Sequence, residues 1–121
     1  MTNSPARRVL VVEDEMMVAM LMEDMLADIG HQVVGVAQNL AVALQMAQER
    51  DFDIAILDIN LAGERSFPVA QLLAERGVPF MFATGYGAMG LDDAFKDAFT
   101  LKKPFQIEDL ATAVDKLSAA A

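Results

Sequence analysis

Ile54-Ala55-Ile56-Leu57-Asp58-Ile59-Asn60-Leu61 is an apolar run interrupted by a carboxylate. A short continuous run of this kind, with β-branched residues in it, suits a strand covered on both faces, and such strands belong to parallel sheets. Asp58 alone would pass for a turn or cap residue. Set between Leu57 and Ile59, it is a charge placed to be half buried, which is unfavourable without a partner or a role.

Similar runs occur at Val9 to Val12, Val33 to Val36 and Phe80 to Ala83, with a weaker one at Phe99 to Leu101. The segments between them have helical spacing. Val18, Leu21, Met22, Met25 and Ile29 form one stripe, stopped by Gly30. Leu40, Ala43, Leu44 and Ala47 form a second, opened by Asn39 as a cap; Val69, Leu72 and Leu73 form a third, with Pro68 early and Gly77 closing. Ile107, Leu110, Ala111, Val114 and Leu117 form the last. Between residues 87 and 97 the glycines Gly85, Gly87 and Gly90 crowd the start and the apolar residues make a poor stripe, which predicts a short or mobile fourth helix.

Strand and helix thus alternate five times without a linker or repeat. The pattern predicts an α/β fold, a five-stranded parallel sheet with five helices on both faces. In the flavodoxin-like order 2-1-3-4-5 the first and third strands are neighbours, and ligands bind beyond the carboxyl ends of the strands.

With 121 residues the chain has the size of one domain. At 55% hydrophobic it lies far from the composition of disordered proteins. No apolar run approaches the roughly 18 residues that span a bilayer, and Met1 to Arg8 contain no hydrophobic signal core, so a soluble cytoplasmic protein without membrane contact is expected. The absence of cysteine excludes disulfides, thiolate catalysis and zinc-ribbon ligation. A net charge of -9, from 18 acidic and 9 basic residues, argues against nucleic-acid binding. The surplus carboxylates are compatible with a divalent-cation site, although a solvated acidic surface is the more frequent cause.

The residues that follow the strands decide between these readings. Glu13, Asp14 and Glu15 follow the first, Asp58 the third, Thr84 and Gly85 the fourth, Lys103 and Pro104 the fifth. Glu13-Asp14-Glu15 alone reads as an acidic helix start, Thr84-Gly85 as ordinary turn chemistry and Lys103 as a solvated lysine. In the predicted sheet order, however, Glu13, Asp14 and Asp58 converge, and three close carboxylates raise one another's pKa unless a cation neutralises them. Mg²⁺, held by carboxylates, a backbone carbonyl and water, is the natural occupant. Lys103 adds a positive charge and Thr84 a hydroxyl, which together describe a pocket for a phosphoryl group on Asp58. Of the two adjacent lysines, Lys103 is favoured over Lys102 because the following proline restricts its backbone.

The runs Val11-Val12-Glu13-Asp14-Glu15, Leu57-Asp58-Ile59-Asn60-Leu61, Ala83-Thr84-Gly85 and Lys102-Lys103-Pro104-Phe105 resemble, in order and over almost the whole chain, the signature of response-regulator receiver domains. That resemblance implies a CheY-like fold, Asp58 as phosphoacceptor, and Glu13 and Asp14 as the acidic pair for Mg²⁺. It also implies a metal-binding backbone carbonyl at Asn60, Thr84 as switch hydroxyl, and Lys103 before a cis proline. The phosphoryl donor would be a sensor histidine kinase or a histidine phosphotransfer protein, and no separate substrate is expected. The whole chain, residues 1–121 with an ordered core over about 8–119, would be a single-domain response regulator of a phosphorelay, with no output domain and expected to be a monomer.

Two residues depart from the pattern. Thr100 stands where many receivers carry the aromatic that rotates on activation, and Ala62 replaces the common proline after the phosphoacceptor loop. The stretch Pro79-Phe80-Met81-Phe82-Ala83-Thr84-Gly85-Tyr86-Gly87 resembles the FAT GUY receivers, known mainly from alphaproteobacteria, which implies partners among unorthodox sensor kinases and a place in general stress signalling.

Outside these motifs, Met16, Met17 and Met20 fall largely off the core stripe of the first helix, and adaptable exposed methionines suit partner docking as much as partial packing. His31, the only histidine, follows Gly30 and reads as a solvated turn residue. Three other functions compete with the leading one. An aspartate-nucleophile phosphatase usually has a second aspartate where this chain has Asn60; a flavin-binding module would carry its phosphate loop where Glu13 and Asp14 stand; a binding module on the same fold would not need phosphorylation.

Overall fold

The computed structural model describes residues 6–85, 91 and 93–119. Five strands form one parallel sheet: β1 (Arg8–Val12), β2 (Gln32–Ala37), β3 (Ile54–Asp58), β6 (Phe80–Thr84) and β7 (Phe99–Lys102), in the order β2-β1-β3-β6-β7. Between β3 and β6 lies a small antiparallel hairpin of β4 (Asn60–Leu61) and β5 (Glu64–Arg65). Counted over the five sheet strands, the order is the 2-1-3-4-5 expected from the sequence.

Because successive strand residues point to opposite faces, each strand supplies two cores. Leu10, Val12, Ala55, Leu57 and Phe82 face helices α2 (Leu40–Glu49) and α3 (Phe67–Glu75). Val9, Val11, Ile54, Ile56, Met81 and Ala83 face α1 (Met16–Asp28) and α4 (Ile107–Ala119). The apolar runs of β1 and β3 are continuous because both faces are covered. β7, at the edge, buries only Leu101 and leaves Phe99 42% exposed.

The predicted helix signals work as local chemistry. Asn39 Oδ1 accepts the Val42 N–H at 2.9 Å and caps α2, Pro68 lies in the first turn of α3, and Gly30 and Gly77 take positive φ just past α1 and α3. None of the described helices is long and apolar enough to cross a membrane.

The described residues hold four α-helices; residues 87–90 and 92 of the expected short fourth helix lie outside the description, and Asp93–Phe95 form one 3₁₀ turn. Two expectations are corrected. Leu21 is 55% exposed, while Ala19, Met22 and Leu26 face the sheet. The helix Met16–Asp28 is apolar on nearly every side of its first two turns, so no polar face fixes its phase in the sequence. His31 is buried, not solvated: its Nδ1 accepts the Arg7 N–H at 3.0 Å and ties the turn after α1 to the start of β1.

Candidate functional site

The site lies at the carboxyl ends of β1, β3, β6 and β7. Glu13 continues β1, its N–H donating to Ala37 O at 2.9 Å, and its side chain is 1% exposed. Asp58 is the last residue of β3 and half buried, as is Asp14. One carboxylate oxygen from each of Glu13, Asp14 and Asp58 lies within 4.8 Å of the others. Side-by-side pairing of β1 with β3 is what brings these residues together from 45 positions apart in sequence.

Lys103 enters from the other side. The N–H of Lys103 donates to Thr84 O at 2.9 Å, joining the ends of β6 and β7, and the Lys103–Pro104 peptide bond is cis. From there Lys103 Nζ reaches Glu13 Oε1 at 2.7 Å and Asp58 Oδ2 at 3.7 Å. Lys102 is exposed. Thr84 is buried at the end of β6, in the strand that pairs with β3. Asn60 opens β4 two residues past Asp58, opposite Arg65, with its side chain exposed. Thr100 lies exposed on β7. Tyr86 and Gly87 are outside the described residues.

Two backbone amides hold the carboxylates in place. Glu15 N–H donates to Glu13 Oε2 at 3.2 Å, and Ala62 N–H donates to Asp14 Oδ2 at 3.0 Å. Neither amide is signalled by side-chain identity, so the sequence carries no direct sign of either. The only trace of the second is that residue 62 is not proline, which has no N–H to donate.

The electrostatics are uneven. Burial pushes the Asp58 carboxyl up to about 7, with repulsion from Glu13 adding to it and the Lys103 charge opposing it. Burial also works to raise Asp14, but its hydrogen bonds, from the Ala62 amide above all, outweigh that and hold it below the usual carboxylate range. For Lys103, burial works against the charged form and the bond to Glu13 and the charge of Asp58 overcome it, so its pKa is raised. The site therefore contains one carboxyl that is poorly ionised near neutrality and a lysine that stays charged. Three hard oxygen donors within 4.8 Å of one another, one on a carboxyl whose burial disfavours the anion, fit a divalent cation of the kind that takes carboxylates and water.

An acidic cluster, a lysine paired to it and a buried threonine thus gather at the carboxyl edge of one parallel α/β sheet. The family described as "Response regulator receiver domain" matches residues 9–115, and the chain belongs to that family. The solution structure of SdrG from Sphingomonas melonis Fr1 superposes with a TM-score of 0.83 at 42% identity, covering 94% of this chain and 98% of that one. Among curated proteins, the transcriptional regulatory protein PdtaR of Mycobacterium tuberculosis is 30% identical over 113 residues, 90% of this chain and 55% of that protein. The phyllosphere-induced regulator PhyR of Methylorubrum extorquens is 34% identical over 115 residues, 92% of this chain and 43% of that protein. The chain thus spans about half the length of these two curated relatives and nearly all of SdrG.

Proposed function

We propose that this receiver takes a phosphoryl group on Asp58 from the phosphohistidine of a sensor histidine kinase or a phosphotransfer protein. The observation that supports it most directly is Lys103 Nζ held 3.7 Å from Asp58 Oδ2, a cation beside a carboxylate that burial has made reluctant to ionise. In the transfer an Asp58 carboxylate oxygen bonds to phosphorus as the phosphorus–nitrogen bond of the donor imidazole breaks, and the imidazole leaves with the electron pair. Lys103 neutralises charge on the phosphoryl oxygens, and the Thr84 hydroxyl donates to one of them.

Mg²⁺, held by Glu13, Asp14, Asp58 and the backbone carbonyl of Asn60, would supply the remaining positive charge on the transferring group. The product is an acyl phosphate, high in energy and open to hydrolysis, so the domain phosphorylates and dephosphorylates itself and has no separate substrate. Signalling then runs through phosphorylation-dependent protein contacts or onward transfer, on the cytoplasmic side where the kinase acts. The Pro79 to Gly87 stretch favours the FAT GUY subgroup. The similarity of the chain to PhyR, a stress response regulator, favours a place in general stress signalling.

Intact-mass measurement after incubation with acetyl phosphate and Mg²⁺ tests the proposal. One phosphate adduct is expected in the native protein and none in Asp58→Ala. A folded native protein without an adduct would instead make the domain a binding module that works without phosphorylation, and steady turnover of phosphomonoesters would make it a phosphatase.

A further inference from the structure

β4 and β5 pair Asn60 with Arg65 and Leu61 with Glu64, which leaves Ala62-Gly63 as a two-residue hairpin loop. Both loop residues have positive φ, 52° at Ala62 and 91° at Gly63. A tight hairpin with two left-handed residues has the twist that its strands need. Gly63 adopts this conformation freely, but Ala62 does not: it is the one non-glycine residue with positive φ among the described residues. The strain sits four residues from Asp58, and an outlier of this kind asks for a compensating contact.

That contact is the bond from Ala62 N–H to Asp14 Oδ2 at 3.0 Å, a hydrogen bond to a charged acceptor. The hairpin that presents the amide is itself anchored. Leu61 is 1% exposed in the core, and Ser66 N–H closes the base of the loop on Ile59 O at 2.8 Å. Proline at position 62 could supply neither the amide nor the positive φ.

We propose that the Ala62 amide is a positioning group for the cation site: the left-handed hairpin turn exists to grip Asp14 and keep its carboxylate facing Glu13 and Asp58. The inference rests on the cation reading given above. It assigns a role to a residue with no functional side chain. It also makes the departure from proline part of how this site is built.

The test is Mg²⁺ titration of the full chain, followed by amide NMR shifts, alongside thermal unfolding in EDTA. Ala62→Gly keeps the amide and relieves the left-handed alanine, so it should bind Mg²⁺ at least as tightly as the native protein and melt higher in EDTA. Ala62→Pro removes the amide and should weaken Mg²⁺ binding about tenfold, beyond any change that its stability explains. A Cβ at Gly63 meets nothing within 4 Å, so Gly63→Ala strains the turn through its backbone alone. It serves as the second disruption, expected to weaken Mg²⁺ binding in a folded protein. Native affinity in both Ala62→Pro and Gly63→Ala, or in Gly63→Ala alone where the proline variant does not fold, would overturn the positioning role and leave the cation site standing. No Mg²⁺ response in the native protein would overturn the cation site and the positioning role with it.

Discussion

Lys103 Nζ sits closer to Glu13 Oε1, at 2.7 Å, than to Asp58 Oδ2, at 3.7 Å. The lysine's nearest partner is therefore the fully buried carboxylate at the end of β1, not the one at the end of β3. A carboxylate buried as deeply as Glu13 needs such a partner, so Lys103 joins the ends of β1 and β7 at the floor of the site.

Removing that partner should be expensive. Lys103→Ala leaves the buried Glu13 without a counter-charge, with only the Glu15 amide beside it, and should lower stability by about 2 to 3 kcal/mol in urea unfolding at neutral pH with EDTA, as well as abolish phosphorylation by acetyl phosphate. Native stability in this variant would mean that the bond to Glu13 contributes nothing to folding.

Asp58 should behave in the opposite way. Its pKa is raised from 3.8 to about 7, burial being the main cause, so the folded protein binds this proton more readily than the unfolded chain does. The stability linked to it is complete below pH 3.8 and is lost as pH rises through 7. Asp58→Asn should therefore exceed the native protein in stability by roughly 1 to 2 kcal/mol at pH 8 in EDTA, with a smaller gap at pH 5. Mg²⁺ competes with the same proton, so its affinity should fall as pH drops from about 8 to 6. A stability gap that did not change with pH would refute the assignment.

The site was legible in the sequence to the extent that it is made of side chains at strand ends. Continuous apolar runs located β1, β3 and β6, the parallel order followed from the alternation with helices, and Glu13, Asp14, Asp58 and Lys103 then had to meet. What was not legible lacks a one-dimensional signal. Leu21 and Ala19 exchanged places because the first turns of α1 are apolar on all sides. His31 found its partner in a backbone amide 24 residues away, and the Ala62 contact depends on a φ angle that alanine rarely takes.

His31 should make the fold acid-sensitive apart from the phosphoryl site. Burial holds its pKa below 6.5, with the nearby Arg7 charge adding to that and Asp115 opposing it. Protonation would also remove the Nδ1 acceptor from the Arg7 amide. The unfolded chain takes up the proton first, so stability present above pH 6.5 should decline below it, by up to about 1 kcal/mol per pH unit. Urea unfolding between pH 7.5 and about 5 should show a shallower decline in His31→Gln; parallel curves would exclude His31 as the cause.

The exposed side of α1 begins at the mouth of the site. Met16, Met17, Met20 and Leu21 are all more than half exposed, Met17 at 84%, in one patch at the start of the helix. A macromolecular phosphoryl donor docked on the start of α1 would cover this patch, whereas a small donor would not. Met17→Glu with Met20→Glu should slow transfer from a cognate kinase about tenfold and leave phosphorylation by acetyl phosphate unchanged. Equal slowing with both donors would trace the effect to the site, and no slowing with either would remove the patch from the docking surface.

If Asp58 is phosphorylated as proposed, the readout would need a route that does not use Thr100, which has no ring to rotate. A cluster of phenylalanines offers one. Phe82, two residues before Thr84 on the same face of β6, has its ring centroid 5.8 Å from Phe67, 5.7 Å from Phe80 and 5.9 Å from Phe95, and Phe67 stacks on Phe95 at 5.6 Å. A displacement of Thr84 toward a phosphoryl group on Asp58 would pass through β6 to Phe82 and, by its ring contact, to Phe95 in the 93–95 turn. Beryllofluoride with Mg²⁺ should therefore shift the NMR resonances of residues 93–95 as well as that of Thr84. Phe95→Leu, which keeps the apolar volume but breaks the ring contacts, should reduce the shift at residues 93 and 94 while leaving the one at Thr84. Unchanged spectra for residues 93–95 in the native protein would rule out this route, and an undiminished shift in Phe95→Leu would place the coupling in the backbone of the segment rather than in its rings.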